Sequence, residues 1–245
     1  MMETASDKRI INCVESCLKS HFSGNNFPKL LASKHVKFYL NGIRRGEQIA
    51  QKLIPFLKKK NVAVLDFGSG YGLVSLGLSK VFNGTIKGID SDQKSINIAK
   101  KWLKISSIKH INFENIDIKH LKKFDVIVST DVLEHVSDRL LYLKLLRNHL
   151  KKEGLLYIKT TNRLCIYNFL LDNHYWMPLV SVLNKNTRNK ILSFMLKRDV
   201  DDVGDYSFKW ELENLFKKSG FQTIKDFRPF NYFLMAHEYL LRKKD

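Results

Sequence analysis

The chain has 245 residues, enough for one α/β domain with additions and a sizeable core. It holds no run of 18 apolar residues, so nothing reads as a transmembrane helix. Its three cysteines, Cys13, Cys17 and Cys165, form neither a disulfide framework nor a paired metal spacing. The formal net charge of +18 suggests a polyanion partner such as a nucleic acid. It is spread out, however, as +8 over residues 1–63, +4 over 64–150 and +6 over 151–245, mostly as lysine with no arginine and aromatic stripe. A solvated, lysine-rich surface is preferred to nucleic-acid binding on that pattern.

From the N-terminus, Glu3 and Asp7 precede any apolar stretch, unlike a secretory signal, and a cytoplasmic location is the default. Residues 7–22 set Ile10, Ile11, Val14, Cys17 and Leu18 at helical spacing, with Cys13 and Cys17 as small apolar groups one turn apart. Ser23 to Pro28 reads as a turn or linker, and 29–40 as a weaker helical stretch. Residues 43–57 carry Ile43, Ile49, Leu53, Ile54 and Leu57, a helix expected to pack beside the first strand. Residues 1–60 thus form an N-terminal helical extension, and 61–245 the main domain.

Val62 to Leu73 reads V-A-V-L-D-F-G-S-G-Y-G-L. An apolar, β-branched run leads through Asp66 into glycines at alternate positions, Gly68, Gly70 and Gly72, with Ser69 between the first two, and then into a helix over Leu73 to Phe82. A strand turning sharply through glycines into a helix N-terminus binds nucleotides. The spacing is not the dinucleotide fingerprint G-x-G-x-x-G, because the third glycine comes one residue early. A carboxylate at Asp66 would repel a pyrophosphate and attract an amino group. Thr85 to Asp90 reads as a second strand ending in an acid, which suits a ribose diol. An amino acid joined to an adenosine satisfies both ends.

Ser91 is placed to cap a helix to Leu103, with Ile96, Ile98, Ala99 and Leu103 inward. His110 to Glu114 is a third strand, followed by Asp117 and Ile118. Phe124 to Ser129 is a fourth strand, ending in Thr130, Asp131, Glu134 and His135. Ser137 would cap a helix to Leu150, with Leu140, Leu143, Leu146 and Leu150 inward. Gly154 to Thr160 is a fifth strand, ending in T-T-N-R. Residues 164–205 are an insertion containing Tyr167, Phe169, Tyr175, Trp176, Met177 and Pro178, then a polar run from Asn184 to Lys190. It reads equally as an acceptor pocket or as a small satellite core. A helix over Tyr206 to Ser219, closed by Gly220, precedes an antiparallel pair, Phe221 to Phe227 and Tyr232 to Leu241.

D-F-G-S-G-Y-G, then G-I-D, then F-D-V-I-V-S-T-D-V-L-E-H-V resembles the class I S-adenosylmethionine (SAM) methyltransferases, most of all the branch of the ubiquinone-biosynthesis O-methyltransferases. The resemblance covers roughly Arg44 to Thr161. It implies an α/β fold: a doubly wound, seven-stranded, mostly parallel sheet with N-terminal helices and the insertion after the fifth strand. It implies SAM as co-substrate, held by Asp66, Gly68, Ser69, Gly70 and Gly72, by Asp90 and Ser91, and by Asp117 and Ile118 at the adenine. Thr130 would lie beside the methionine part. Arg44 looks like the arginine that reaches the cofactor carboxylate, although a solvated Arg44 beside Arg45 is an equal reading. T-T-N-R resembles the relatives' T-P-N-R, with Thr161 in place of proline.

The resemblance further implies methyl transfer, expected on oxygen, and the absence of an N-P-P-Y tetrad argues against amino-group methylation of bases or glutamine. Glu134 and His135 would face the transfer space, with His135 either a general base or a structural histidine. D-x-x-E-H at Asp131, Glu134 and His135 also resembles a three-residue holder of a divalent ion in some relatives. A metal is an open possibility, and no residue is assigned to one. The acceptor, a small molecule, saccharide or lipid intermediate, is left open, with an RNA methyltransferase or a non-catalytic SAM-binding partner as rivals.

Overall fold

The computed structural model describes residues 5–23, 36–116, 121–165, 183, 185–196, 206–228 and 236–244. The turn expected at 24–28, Asp117 and Ile118, and most of the 164–205 insertion lie outside them. Seven strands share one sheet in the order β3-β2-β1-β4-β5-β7-β6. The chain divides into two compact units, Met1–Phe124 and Asp125–Asp245.

In the first unit, β1 (Val64–Phe67), β2 (Ile86–Asp90) and β3 (Ile111–Asn115) run parallel, with Asp66 opposite Gly88 and Asp90 opposite Asn115. The sequence places the first strand at Val62. The ladder begins at Val64, whose N–H donates to the Thr85 carbonyl, and continues through Phe67. This two-residue shift has a chemical consequence. Asp66 sits inside a strand buried at every position, rather than at its end.

α1 (Ala5–Ser23) buries Ile10, Val14 and Leu18, as its periodicity predicts. Residues 36–40 are helical and lead into α2 (Gly42–Leu53). α2 packs closely against α3 (Leu73–Ser79), the helix after the glycine loop. A Cβ at Gly46 would fall 2.2 Å from the Val74 carbonyl oxygen, and one at Gly77 would fall 2.0 Å from that of Ile43. The backbones therefore touch where larger side chains would hold them apart. The apolar pattern marks the buried face of α2, but not which element covers it.

α4 (Gln93–Ile105) is capped by Asp92 and not by Ser91. The Asp92 carboxylate accepts from the Lys94 and Ser95 N–H groups at 3.1 and 3.0 Å. Ile96, Ala99 and Trp102 are buried, whereas Ile98 and Leu103 are half-exposed. The same shift of one residue recurs in the second unit. Asp138, not Ser137, caps α5 (Arg139–Asn148) by accepting from the Leu141 N–H. In both places a carboxylate outcompetes a hydroxyl as the acceptor for orphan amides.

The second unit contains β4 from Asp125 onward (the whole strand is Phe124–Thr130), β5 (Leu150–Thr160), β6 (Phe221–Asp226) and β7 (His237–Lys243). β7 is antiparallel to both β5 and β6. β5 begins four residues before Gly154, because Lys-Lys-Glu-Gly hides a strand that has no alternating apolar residues. Leu150, expected on a helix, is its first residue. α6 (Lys185–Leu196) begins in the stretch read as a polar run, Asn184 to Lys190, and continues past it. α7 (Lys209–Lys218) starts later than expected, with the Glu211 carboxylate accepting from the Phe208 N–H, and the chain leaves it through Gly220 at φ +77°.

Candidate active site

The loop after β1 is built by backbone hydrogen bonds to the end of β2. The N–H groups of Gly68 and Ser69 both donate to the Ile89 carbonyl, at 2.8 and 3.0 Å, and that of Gly72 donates to the Ser69 carbonyl at 2.9 Å. Gly70 has φ +50°, and a Cβ on it would meet nothing within 4 Å. The loop thus turns through the left-handed region while leaving an open cradle over its backbone.

Two acids flank that cradle. Asp90 ends β2. Its Oδ2 accepts from the Gly70 N–H at 2.8 Å and its Oδ1 from the Asp92 N–H at 2.9 Å, so the carboxylate is fixed before any ligand arrives. Asp66 is 1% exposed. Its Oδ2 accepts from the Ser75 hydroxyl at 2.6 Å. Burial pushes its pKa up from 3.8 to about 6. The Ser75 hydrogen bond pulls it down, Asp90 raises it again, and Arg45 lowers it. A cationic ligand group would relieve this buried charge. Near these acids, Ser69 Oγ is buried with no hydrogen-bond partner among the described residues, an orphan that a ligand polar group would satisfy.

The cradle, the orphaned hydroxyl and the two acids fit an amino acid joined to an adenosine: the ammonium to Asp66 and the ribose diol to Asp90. Arg44 stands exposed on α2, and its neighbour Arg45 is half-buried over the Phe38 ring. Ser91 is exposed, and its carbonyl accepts from Asn115 Nδ2 at 3.2 Å. Tyr71 in the loop meets Tyr39 edge-on at 4.8 Å. Burial holds its hydroxyl up at about 12, a neutral group at working pH.

In the second unit, Thr130 ends β4 and is buried. Asp131 follows with φ +58°, the one non-glycine residue with positive φ among the described residues. Its N–H donates to the Lys159 carbonyl at 2.9 Å, and its Oδ1 lies 3.7 Å from Lys159 Nζ. Leu133–His135 then form a short 3-10 turn. Glu134 is buried, with its two carboxylate oxygens accepting from the hydroxyls of Thr160 and Thr161, each at 2.8 Å. His135 is exposed. Among the described residues, no three His, Cys, Asp or Glu side chains stand together as a metal would require.

Several buried or ion-paired residues of the second unit have no motif to reveal them. Lys159, Tyr157 and Glu238 belong to a strand pair whose register the sequence does not declare. Tyr157 donates to Glu238, which also accepts from Arg228 Nε at 2.7 Å. Burial, with the carboxylate alongside, holds the Tyr157 hydroxyl well above its usual range.

The fold and the loop define a class, the SAM-dependent methyltransferases. The methyltransferase domain family model matches residues 41–226, and the chain belongs to that family. It is 36% identical over 128 residues to a ubiquinone biosynthesis O-methyltransferase of Pelagibacter ubique, a match over 49% of this chain and 52% of the relative. It is 31% identical over 115 residues to the protein of that name from Bartonella tribocorum, over 45% and 44%. The chain thus spans about half the length of the curated relatives it matches. A SAM-dependent methyltransferase structure from Clostridium acetobutylicum superposes with a TM-score of 0.62, covering 87% of this chain and 99% of that one at 16% identity, which bears on the fold alone.

Proposed function

We propose that this protein moves a methyl group from SAM to a hydroxyl oxygen of a small-molecule acceptor, a saccharide or a lipid intermediate. The observation that carries the reading is the pair of acids, Asp66 and Asp90, set on either side of an open glycine cradle. The name of the curated relatives supports oxygen as the target. SAM, when bound, supplies a methyl group made electrophilic by its sulfonium. The chain's own work is binding and orientation. Asp66 holds an ammonium, Asp90 and Ser91 the ribose side, and Gly68, Ser69, Gly70 and Gly72 line the backbone approach. Asp117 and Ile118 are assigned to the adenine and Thr130 to the methionine part.

His135, exposed on the short turn after β4, receives the acceptor proton. Glu134 fixes the turn that carries it. Residues 1–60 are an extension and 61–245 the transfer domain, with 164–205 covering the acceptor. A cytoplasmic location belongs to the same proposal. Among the described residues, no helix is long and apolar enough to cross a membrane.

Calorimetry with SAM and with NAD tests the donor. Binding of NAD with SAM ignored defeats the reading. Mass spectrometry of cell extract incubated with the protein and methyl-labelled SAM then identifies the acceptor. Binding without any label transfer would favour a non-catalytic SAM-binding protein. The charge of +18 favours one second reading, RNA as acceptor, for which affinity falls steeply with added salt.

A further inference from the structure

Two of the three cysteines stand together. Cys13 and Cys17 lie one turn apart on α1, both half-exposed, on the flank of the buried stripe of Ile10, Val14 and Leu18. α1 packs against α4, and α4 brings a cation to the pair: the Lys101 ammonium donates to Cys17 Sγ at 3.8 Å. Burial raises the Cys13 thiol above its ordinary range, and the Cys17 thiol beside it raises it further, while Lys101 acts in the opposite direction. Spacing decides what such a pair can do. Cβ atoms four residues apart on a helix are about 5–6 Å apart. A disulfide needs them at about 3.5–4.5 Å, so closing one would distort α1. An ion held between two thiolates by metal–sulfur bonds of about 2.3 Å sets the sulfurs roughly 4.6 Å apart, which side chains on successive turns reach. Thiolates select soft ions, Cu(I) among them, and two thiolates satisfy that ion in a linear arrangement. Binding exchanges two thiol protons for one Cu(I), so the bound unit carries one negative charge, which one ammonium balances. A divalent zinc ion between the same thiolates would be neutral and leave Lys101 unmatched.

We propose that Cys13 and Cys17, with Lys101 as the balancing cation, form a binding site for one Cu(I) ion in the first unit. The ion keeps its oxidation state, and the site stands independently of the SAM reading. Once filled, it ties α1 to α4, the helix whose Trp102 indole donates to the Tyr71 carbonyl of the glycine loop at 2.7 Å.

The test titrates Cu(I), delivered without oxygen from its bicinchoninate complex, into the full chain. The unmodified protein should withdraw one equivalent. Cys13→Ser and Cys17→Ser should each abolish that uptake, and Cys165→Ser, at a buried position, should keep it. Lys101→Gln should weaken it roughly 10- to 100-fold, the range for loss of a group just outside the ligands, and Lys101→Arg should restore it. Thermal unfolding checks that each variant is folded. Mass-mapped iodoacetamide labelling needs no variant: Cu(I) should shield Cys13 and Cys17 together. Uptake that survives Cys13→Ser or Cys17→Ser overturns the site, as does labelling of the pair that Cu(I) leaves unchanged. Full affinity in Lys101→Gln overturns the role of the ammonium. Loss of two mass units on mild oxidation, a disulfide closed between the pair, overturns the spacing on which the ion was chosen.

Discussion

The Thr161 hydroxyl donates to Glu134 Oε1 at 2.8 Å, beside the equivalent bond from Thr160 to Oε2. In the T-P-N-R pattern that this segment resembles, a proline stands at the Thr161 position and brings no hydroxyl. Both oxygens of the buried carboxylate are engaged here, which makes Glu134 an anchor for the Leu133–His135 turn. Thr161→Val should therefore leave one carboxylate oxygen short of its donor and cost about 1–3 kcal/mol of stability. Chemical denaturation measures this, and calorimetry with SAM should show donor affinity unchanged. An unchanged unfolding midpoint would mean that the carboxylate is not held by Thr161.

Asp66 makes stability depend on pH. Its pKa is raised from 3.8 in the unfolded chain to about 6 in the folded one, chiefly by burial. The folded state therefore holds its proton more tightly, and the associated stability is fully present below about pH 4. It is lost as pH rises through about 6, a loss of up to roughly 3 kcal/mol by neutral pH. Asp66→Asn should remove this slope and raise the stability of the ligand-free protein at pH 7 to 8. The same substitution should abolish SAM binding, because an amide offers no charge to an ammonium. In the unmodified protein, SAM affinity should fall as pH drops below about 6. Urea unfolding between pH 4 and 8 and titration calorimetry over the same range check both signs.

How much of this was legible in the sequence follows from what each feature depends on. The glycine loop, the Asp90 strand end and the E-H element are local, and chain order alone reveals them. The D-x-x-E-H spacing suggested three converging ligands, whereas Glu134 turns inward to two threonines and His135 outward to solvent. A spacing argument presumes a helix, and the segment is a short 3-10 turn after a left-handed Asp131. The Asp131 ion pair with Lys159 also depends on how β5 is registered, which no local pattern declares.

The α2–α3 contact gives a stability prediction with a functional consequence. Gly46→Ala places a methyl 2.2 Å from the Val74 carbonyl oxygen, a backbone atom that cannot swing aside. Overpacking of this kind costs about 1–3 kcal/mol. Because α3 begins at the end of the glycine loop, a forced shift should also weaken SAM binding. Gln48→Gly, at an exposed position of the same helix, should destabilise by roughly 0.5–1 kcal/mol through helix propensity while leaving SAM affinity intact. Denaturation and calorimetry on the two variants separate loss of contact from loss of helix.

Asp131 provides a test of strain against function. A side chain at φ +58° costs about 1–2 kcal/mol relative to glycine, less for aspartate than for most residues, and such strain concentrates at functional sites. Asp131→Gly and Asp131→Ala delete the same carboxylate and the same ion pair to Lys159, a partly exposed pair worth at most about 1 kcal/mol. They differ only in the backbone. Asp131→Gly should hold stability near that of the unmodified protein or above it, and Asp131→Ala should fall about 1–2 kcal/mol below Asp131→Gly. If the strain is retained because the carboxylate faces the acceptor, methyl transfer should be lost equally in both variants, and Asp131→Gly would be stable and inactive. If Asp131→Gly transfers methyl groups as well as the unmodified protein, Asp131 serves the turn alone. Labelled transfer from SAM, set beside the two unfolding midpoints, decides between these outcomes.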